Sequence, residues 1–118
     1  MAAKDDLGRR GEAVAADWFE QHGYTVIDRN WRCRIGELDI ILRRGDLTVF
    51  AEVKTRTSVA FGHPFEAITP TKARRLRQLA AEWCRLHESG AGDIRIDAVA
   101  VVDAWGAIPR VEHLSGIA

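Results

Sequence analysis

Two stretches of the chain place apolar residues at steps of three and four, which is the spacing of one face of a helix. The first stretch is 5–22, and Gly23 follows it where a helix commonly ends. The second begins at Thr69, a suitable N-cap, with Pro70 at the first helical position. We expect this second helix to fray near Ser89 and Gly90. The pattern thus predicts two amphipathic helices.

Alternation of apolar and polar residues, which is typical of β-strands, dominates the middle of the chain. Strands are predicted over 37–44 and 47–55, and Gly45 and Asp46 between them suit a two-residue hairpin turn. A less regular extended segment, 24–34, precedes this hairpin.

The remaining segments complete the predicted order αβββαββ. Residues 56–68 are expected to form a loop, and 108–114 a last short strand. The segment 93–102 becomes wholly apolar, which is typical of a strand inside a sheet. We therefore expect an α/β fold with one mixed sheet flanked by helices. A length of 118 residues fits a single domain over 1–118, with a core of about 5–114.

Composition indicates an ordinary soluble protein, with 47% apolar and 29% charged residues. No apolar run approaches the roughly 20 residues that a membrane span needs. The first six residues lack the apolar segment of a secretory signal. Cys33 and Cys84 lack the spacing of metal ligands and are expected to be reduced, partly buried thiols. We expect a cytoplasmic protein that does not bind a membrane.

Charge is balanced overall, with 17 basic and 17 acidic residues, but it is unevenly distributed. The stretch 29–77 holds 11 basic residues against five acidic ones, and the rest of the chain compensates. Such a polarised molecule can present a basic face to phosphates while its net charge stays at zero. Solvated surface charges would give the same asymmetry, so it indicates nucleic-acid binding only in combination with other features.

Candidate chemistry lies in the predicted hairpin. If Gly45 and Asp46 form the whole turn, Asp39 faces Glu52 and Glu37 faces Lys54. Carboxylates that face each other destabilise a sheet unless a shared proton, nearby cations or a divalent metal relieves the repulsion. Mg²⁺ prefers oxygen ligands and is often held by one or two carboxylates with water and substrate phosphate. Lys54 could then orient a water molecule or stabilise charge on a phosphate.

A structural interpretation of the same residues, without metal binding or catalysis, stays open. An acid facing an acid can be solvated at a sheet edge, and Glu-x-Lys is a common strand sequence. A shift of one residue in the register would move one carboxylate to the other face and remove the site.

At these residues the sequence resembles a known group of proteins. Asp39 followed by Glu52, Val53 and Lys54 resembles the signature of the PD-(D/E)XK nuclease superfamily, which has the restriction-endonuclease-like fold. More closely, the chain resembles the YraN-like family of small bacterial proteins over about 7–102. That resemblance rests on an ordered set of blocks: 8–13, 30–34, 36–41, 52–56, 61–64 and 96–97.

The resemblance implies a site as well as a fold. It implies phosphodiester hydrolysis with Mg²⁺ or Mn²⁺, with Asp39 and Glu52 as metal ligands and Lys54 as the active-site lysine. Glu12 matches an acidic residue that junction-resolving members supply from their first helix. The alternative for Glu12 is a solvated helix residue. Gly11 beside it would let the helix approach the sheet closely.

Basic residues around this site are candidates for phosphate contacts, which position nucleic acid without reading its sequence. The candidates are Arg34, Arg56, Lys72 and Arg75. Lys72 lies in the first turn of the second predicted helix, where the helix dipole favours anions. An exposed cationic helix face would account for each of them equally well.

Three further residues have both a functional and a structural interpretation. Trp31 could stack on an unpaired base, but a partly buried strand aromatic is the more common case. His63, in a loop with Gly62 and Pro64, could shuttle protons, although Lys54 already supplies the expected chemistry. Asp97, on an apolar strand, is best explained as a hydrogen-bonded structural carboxylate.

Three functions therefore remain open. The first is a metal-dependent nuclease that acts on DNA in preference to RNA, on a branched or flapped structure, and as a homodimer if it cuts junctions. The second is a catalytically inactive nucleic-acid-binding module of the same fold. The third is an interaction protein whose basic face binds another protein. The complete set of Asp39, Glu52 and Lys54 favours the first.

Overall fold

The computed structural model describes residues 5–60, 62–87 and 92–118. Its elements follow the predicted order αβββαββ, with one short 3₁₀ helix, Pro64–Ala67, added before the second α-helix. The α-helices and strands are α1 (Asp6–Gln21), β1 (Thr25–Cys33), β2 (Gly36–Arg44), β3 (Leu47–Arg56), α2 (Pro70–Leu86), β4 (Asp93–Val102) and β5 (Arg110–Leu114).

All five strands form one mixed sheet in the order β1-β2-β3-β4-β5. Neighbouring strands are antiparallel except β3 and β4, which are parallel. A parallel pair needs a crossover connection, and α2 supplies it. The α/β class with a mixed sheet flanked by helices is confirmed, in line with a restriction-endonuclease-like fold.

Each face of the sheet is covered by one helix. On one face, Phe19 of α1 packs with Ile40, Val49 and Val99. On the other face, Leu76, Leu79 and Trp83 of α2 pack with Phe50 and Ile96. Because both faces are covered, the inner strands β2, β3 and β4 are apolar on both sides, as a doubly buried sheet requires.

The β2–β3 hairpin has the predicted turn and register. Gly45 adopts a φ of 59°, which a glycine tolerates without strain. Arg44 pairs with Leu47, and the pairing continues in the same register to Ile40 and Ala51. The single-residue shift that would have removed the candidate site is therefore absent.

Helix α2 begins as predicted. The side chain of Thr69 accepts a hydrogen bond from the backbone N–H of Lys72, and Pro70 occupies the first turn. The helix ends at Leu86, with His87 as its C-cap. The predicted fraying near 89–90 lies outside the described residues, as does Phe61 of the 61–64 block.

Two predicted boundaries need correction. Residues 56–68 are not a loop throughout, because β3 includes Arg56 and the 3₁₀ helix follows with His63 and Glu66 as a capping box. The last strand starts at Arg110 instead of residue 108. Pro109 has no N–H to donate to the sheet, and Ile108 is 84% exposed.

Helix α1 approaches β3 closely at one glycine. A Cβ atom at Gly11 would overlap the side chain of Thr55, including its Oγ1 atom. The close approach expected at Gly11 is confirmed, and it fixes the distance between α1 and the strand that carries Glu52 and Lys54.

We expect Gly11→Ala to lower the free energy of unfolding by about 1–3 kcal/mol, since the added methyl group overpacks the α1–β3 contact. Chemical denaturation would measure the loss. In a double-mutant cycle with Thr55→Ala, which removes two of the three nearest atoms, the two losses should be less than additive. Strictly additive losses of stability would contradict the contact between Gly11 and Thr55.

Candidate active site where β2 and β3 separate

The main-chain pairing between β2 and β3 ends at Ile40 and Ala51. Just beyond that pair, Oδ2 of Asp39 accepts a hydrogen bond from the backbone N–H of Val53 at 2.9 Å. A carboxylate thus takes the place that a backbone carbonyl would hold in a continued ladder. Asp39 and Glu52 come together at this point, as the predicted register requires.

Asp39 and Glu52 form a buried carboxyl pair. Each residue is only 5% exposed, and the two carboxyl groups are within hydrogen-bonding reach of each other. Burial, followed by the hydrogen bond and the charge of Asp39, raises the pKa of Glu52 from 4.5 to about 8. Lys72 and Lys54 favour its ionised form but do not offset burial. At neutral pH Glu52 therefore keeps a proton that it shares with Asp39, although Lys72 and Lys54 are near.

Lys72 is the cation closest to this pair in the described residues. Its Nζ atom lies 3.1 Å from Oε2 of Glu52. That oxygen is buried, and among residues 5–60, 62–87 and 92–118 no group is oriented to give it a hydrogen bond. Sequence reasoning predicted Lys72 as a phosphate contact and missed its ion pair. The sequence contained this information, because a crossover helix begins at the edge of the sheet where the preceding strand ends. Its first turn therefore lies near the end of that strand.

Lys54 and Glu12 face a common cleft. The cleft has a volume of about 300 Å³ and opens at the carboxyl end of β3, with Gly8, Val53 and Arg56 also in its walls. Glu12 is 8% exposed, so the solvated interpretation of this residue is wrong. Lys54 is half-buried and close enough to Glu52 to favour its ionised form. The structure thus brings Glu12 beside Lys54, which in turn neighbours the carboxyl pair.

The other predicted phosphate contacts are distributed unevenly around the site. Arg56 is exposed at the wall of the cleft. Arg75 is exposed on α2, with its side-chain stem beside Gly36 at the start of β2. Arg34 lies in the turn between β1 and β2, where its charge helps lower the pKa of Glu82 after the larger effect of Arg85. Their roles toward phosphate stay predictions.

Glu37 does not pair with Lys54 as expected. The β2–β3 ladder has ended before it reaches Glu37. Glu37 instead lies opposite Arg32 of β1, and an ion pair of 3.1 Å joins the two side chains. The separation of the two strands that frees the carboxylate of Asp39 therefore also removes Glu37 from the ladder with β3.

The structural interpretations of Trp31 and Asp97 fit the structure, and His63 has structural contacts as well. Trp31 is half-buried against the cluster under α2. His63 caps the 3₁₀ helix and contacts Glu112. Asp97 is fully buried and accepts hydrogen bonds from the side chains of Arg95 and His113. Burial alone would raise the pKa of Asp97, but these bonds hold it below its usual value.

Metal-ligating residues are few at the site. Within the described parts of the chain, no group of three or more His, Cys, Asp or Glu side chains is arranged to hold a metal ion. Cys33 and Cys84 carry reduced thiols and are half-buried, as expected. In those same parts, none of the helices combines the length and apolar character needed to cross a membrane.

Comparison with known proteins identifies relatives that match almost the whole chain. The model of the uncharacterised protein family UPF0102 matches residues 11–101. A UPF0102 protein of Leifsonia xyli subsp. xyli (strain CTCB07) is 61% identical over 117 residues, which cover 99% of each chain. A UPF0102 protein of Streptomyces coelicolor (strain ATCC BAA-471 / A3(2) / M145) is 48% identical, over 100% of this chain and 92% of the relative. The chain therefore belongs to the UPF0102 family.

Proposed function

We propose that this protein is a metal-dependent nuclease of the PD-(D/E)XK superfamily that hydrolyses phosphodiester bonds in structured DNA. The observation that carries the proposal is the buried Asp39–Glu52 pair, next to which Lys54 favours the ionised form of Glu52 and itself lines a cleft. Perturbed titratable groups at a cleft are characteristic of catalytic sites. Burying such a pair also lowers the free energy of unfolding. Binding of a ligand by the pair would explain why the protein keeps it.

The residues present fit Mg²⁺ or Mn²⁺. Asp39 and Glu52 offer only oxygen ligands, as hard divalent cations prefer, and two carboxylates are a usual protein contribution to a magnesium site. Oε2 of Glu52 is buried and lies 3.1 Å from the ammonium of Lys72, but among the described residues no contact to it has hydrogen-bond geometry. A bound ion would take over the neutralising role of the shared proton and of Lys72.

Each neighbouring side chain has a role in hydrolysis. A bound divalent cation supplies charge that polarises the phosphoryl group and acidifies water. Lys54 orients the attacking water and stabilises the negative charge that develops on phosphate. Glu12 faces the same cleft and is placed to accept a proton from that water. Arg56 at the cleft wall holds the nucleic-acid backbone.

A nucleic-acid-binding module without turnover is the second candidate. It is favoured by one observation, the 3.1 Å contact that places the ammonium of Lys72 on the oxygen that a metal ion would need. Metal binding therefore separates the two candidates.

Cleavage tests the proposed activity directly. We expect the protein to cut at least one of single-stranded, duplex, flap and four-way DNA in Mg²⁺ or Mn²⁺. Asp39→Asn, Glu52→Gln and Lys54→Ala should each reduce the rate by about 100-fold or more, since each removes a ligand or a charge-stabilising group. Glu20→Gln, an exposed acid on α1, is the matched control and should leave the rate unchanged. Equal cleavage by Glu52→Gln, or none by the unaltered protein, would refute the nuclease.

The pH dependence of stability tests the carboxyl pair. The pKa of Glu52 is about 8 in the folded protein and 4.5 as its ordinary value. Below pH 4.5 both states keep the proton, but between pH 4.5 and 8 only the unfolded state loses it. Stability attributable to Glu52 therefore falls as pH rises through this window. Glu52→Gln should raise the Tm by about 5 °C or more at pH 7.5 and hardly at pH 4. An effect independent of pH would contradict the raised pKa.

Metal binding should be visible as stabilisation. Millimolar Mn²⁺ at pH 7.5 should raise the Tm of the unaltered protein by several degrees, because a ligand that binds only the folded state stabilises it. Asp39→Asn should lose this response, while Glu20→Gln should keep it. The absence of a Mn²⁺-dependent shift in the unaltered protein would favour the binding module over the nuclease.

A further inference from the structure

Trp105 lies on the surface, in the connection between β4 and β5. It is 65% exposed, whereas Trp83 is buried and Trp18 and Trp31 are half-buried. Single exposed apolar residues are common, but tryptophan is a residue type that is enriched at binding interfaces. A function in binding would explain why this residue is a tryptophan.

The connection holds Trp105 in a fixed position. The backbone N–H of Gly106 donates to the carbonyl of Asp103 at 3.0 Å, which closes a tight turn around Trp105. Asp103 adopts a positive φ of 60°, and a Cβ at Gly106 would overlap its carboxylate. Ala104, next to Trp105, is buried in the core under α1. The ring is therefore presented by a constrained turn, which lowers the entropy cost of binding.

The same turn is attached to both elements that build the cleft. The N–H of Asp103 donates to the carbonyl of Arg56 at 3.0 Å, at the end of β3. Nε of Arg10 on α1 donates to the carbonyl of Ala104, also at 3.0 Å. Lys54 is two residues from Arg56, so Trp105 lies within roughly 20 Å of the active-site lysine along this path. A few nucleotides would span that distance.

Two arginines accompany the exposed ring. The guanidinium of Arg10 lies over one face of the Trp105 ring, 5.7 Å from its centre, which leaves the opposite face for a base, and Arg56 lies on the strand beside the turn. Cations beside an exposed aromatic ring are the arrangement by which proteins hold single-stranded nucleic acid, with bases on the ring and phosphates on the cations.

We propose that Trp105 stacks on an unpaired nucleobase a few nucleotides from the phosphate in the cleft, so the substrate is DNA with a single-stranded segment. This proposal rests on the proposed function. Sequence reasoning considered Trp31 for this role, but Trp31 packs against the core under α2. A second copy of the chain is the competing occupant, since Ile108 on the same connection is also exposed. Two apolar side chains fall far short of the surface that a stable dimer buries.

Binding without metal tests the stacking separately from cleavage. A short fluorescein-labelled oligothymidylate and a duplex of equal length would be titrated with the full chain in EDTA, and anisotropy recorded. Trp105→Ala should weaken binding of the oligothymidylate by about tenfold, as the loss of one stacked base does. Trp105→Phe should retain most of the affinity, and the duplex should be affected less than twofold. Ile94→Ala, at an exposed apolar residue near the opposite end of β4, is the matched control.

Three results would overturn the stacking proposal. They are failure of the unaltered protein to bind the oligothymidylate, equal affinity of Trp105→Ala, and equal weakening of single strand and duplex. Sedimentation that changes from dimer to monomer in Trp105→Ala, with DNA affinity unchanged, would assign the turn to self-association instead. These binding measurements do not require cleavage. A Trp105-dependent affinity without cleavage would therefore refute the nuclease alone. Cleavage without Trp105 dependence would refute the stacking alone.

Discussion

The burial of two neighbouring carboxyl groups is the constraint on which the rest of this structure depends. Asp39 and Glu52 meet where β2 and β3 separate, and Asp39 replaces the missing ladder partner of Val53. Ionising both acids in that position is unfavourable, so the surroundings must supply a proton or positive charge. The protein places Lys72 at the beginning of α2 and Lys54 on β3 to do so. The raised pKa of Glu52 and the two lysines near it both follow from this need to neutralise the pair.

Strand β3 connects the site to the rest of the molecule. It carries Glu52 and Lys54, receives α1 at the Gly11–Thr55 contact, and pairs with β4 along its whole length. Glu12 reaches the cleft only because Gly11 lets α1 approach so closely. The geometry of the site is therefore determined by packing on both faces of the sheet, and changes at Gly11 would reach the chemistry indirectly.

Local signals in the sequence were sufficient for most of the fold. Thr69 and Pro70 set the start of α2, and Gly45 and Asp46 set the hairpin, because caps and tight turns depend on a few adjacent residues. The hairpin register then placed Asp39 beside Glu52. The failures depend on distant contacts. The predicted pairing of Glu37 with Lys54 was wrong because β2 and β3 diverge. The ion pair of Lys72 with Glu52 was missed because it depends on the position of α2 over the sheet.

The parallel pairing of β3 with β4 has a consequence for the order in which the site is assembled. The hairpin that joins Asp39 to Glu52 closes through a turn of two residues, so this contact is local and forms readily. Lys72 arrives only with the crossover helix, which is translated after β3. When only the first three strands have left the ribosome, Lys54 is already present on β3, but Lys72 is not yet in place beside Glu52. Until α2 docks, that face of the sheet is open to water, so the burial that raises the pKa of Glu52 is completed only when the helix covers the pair.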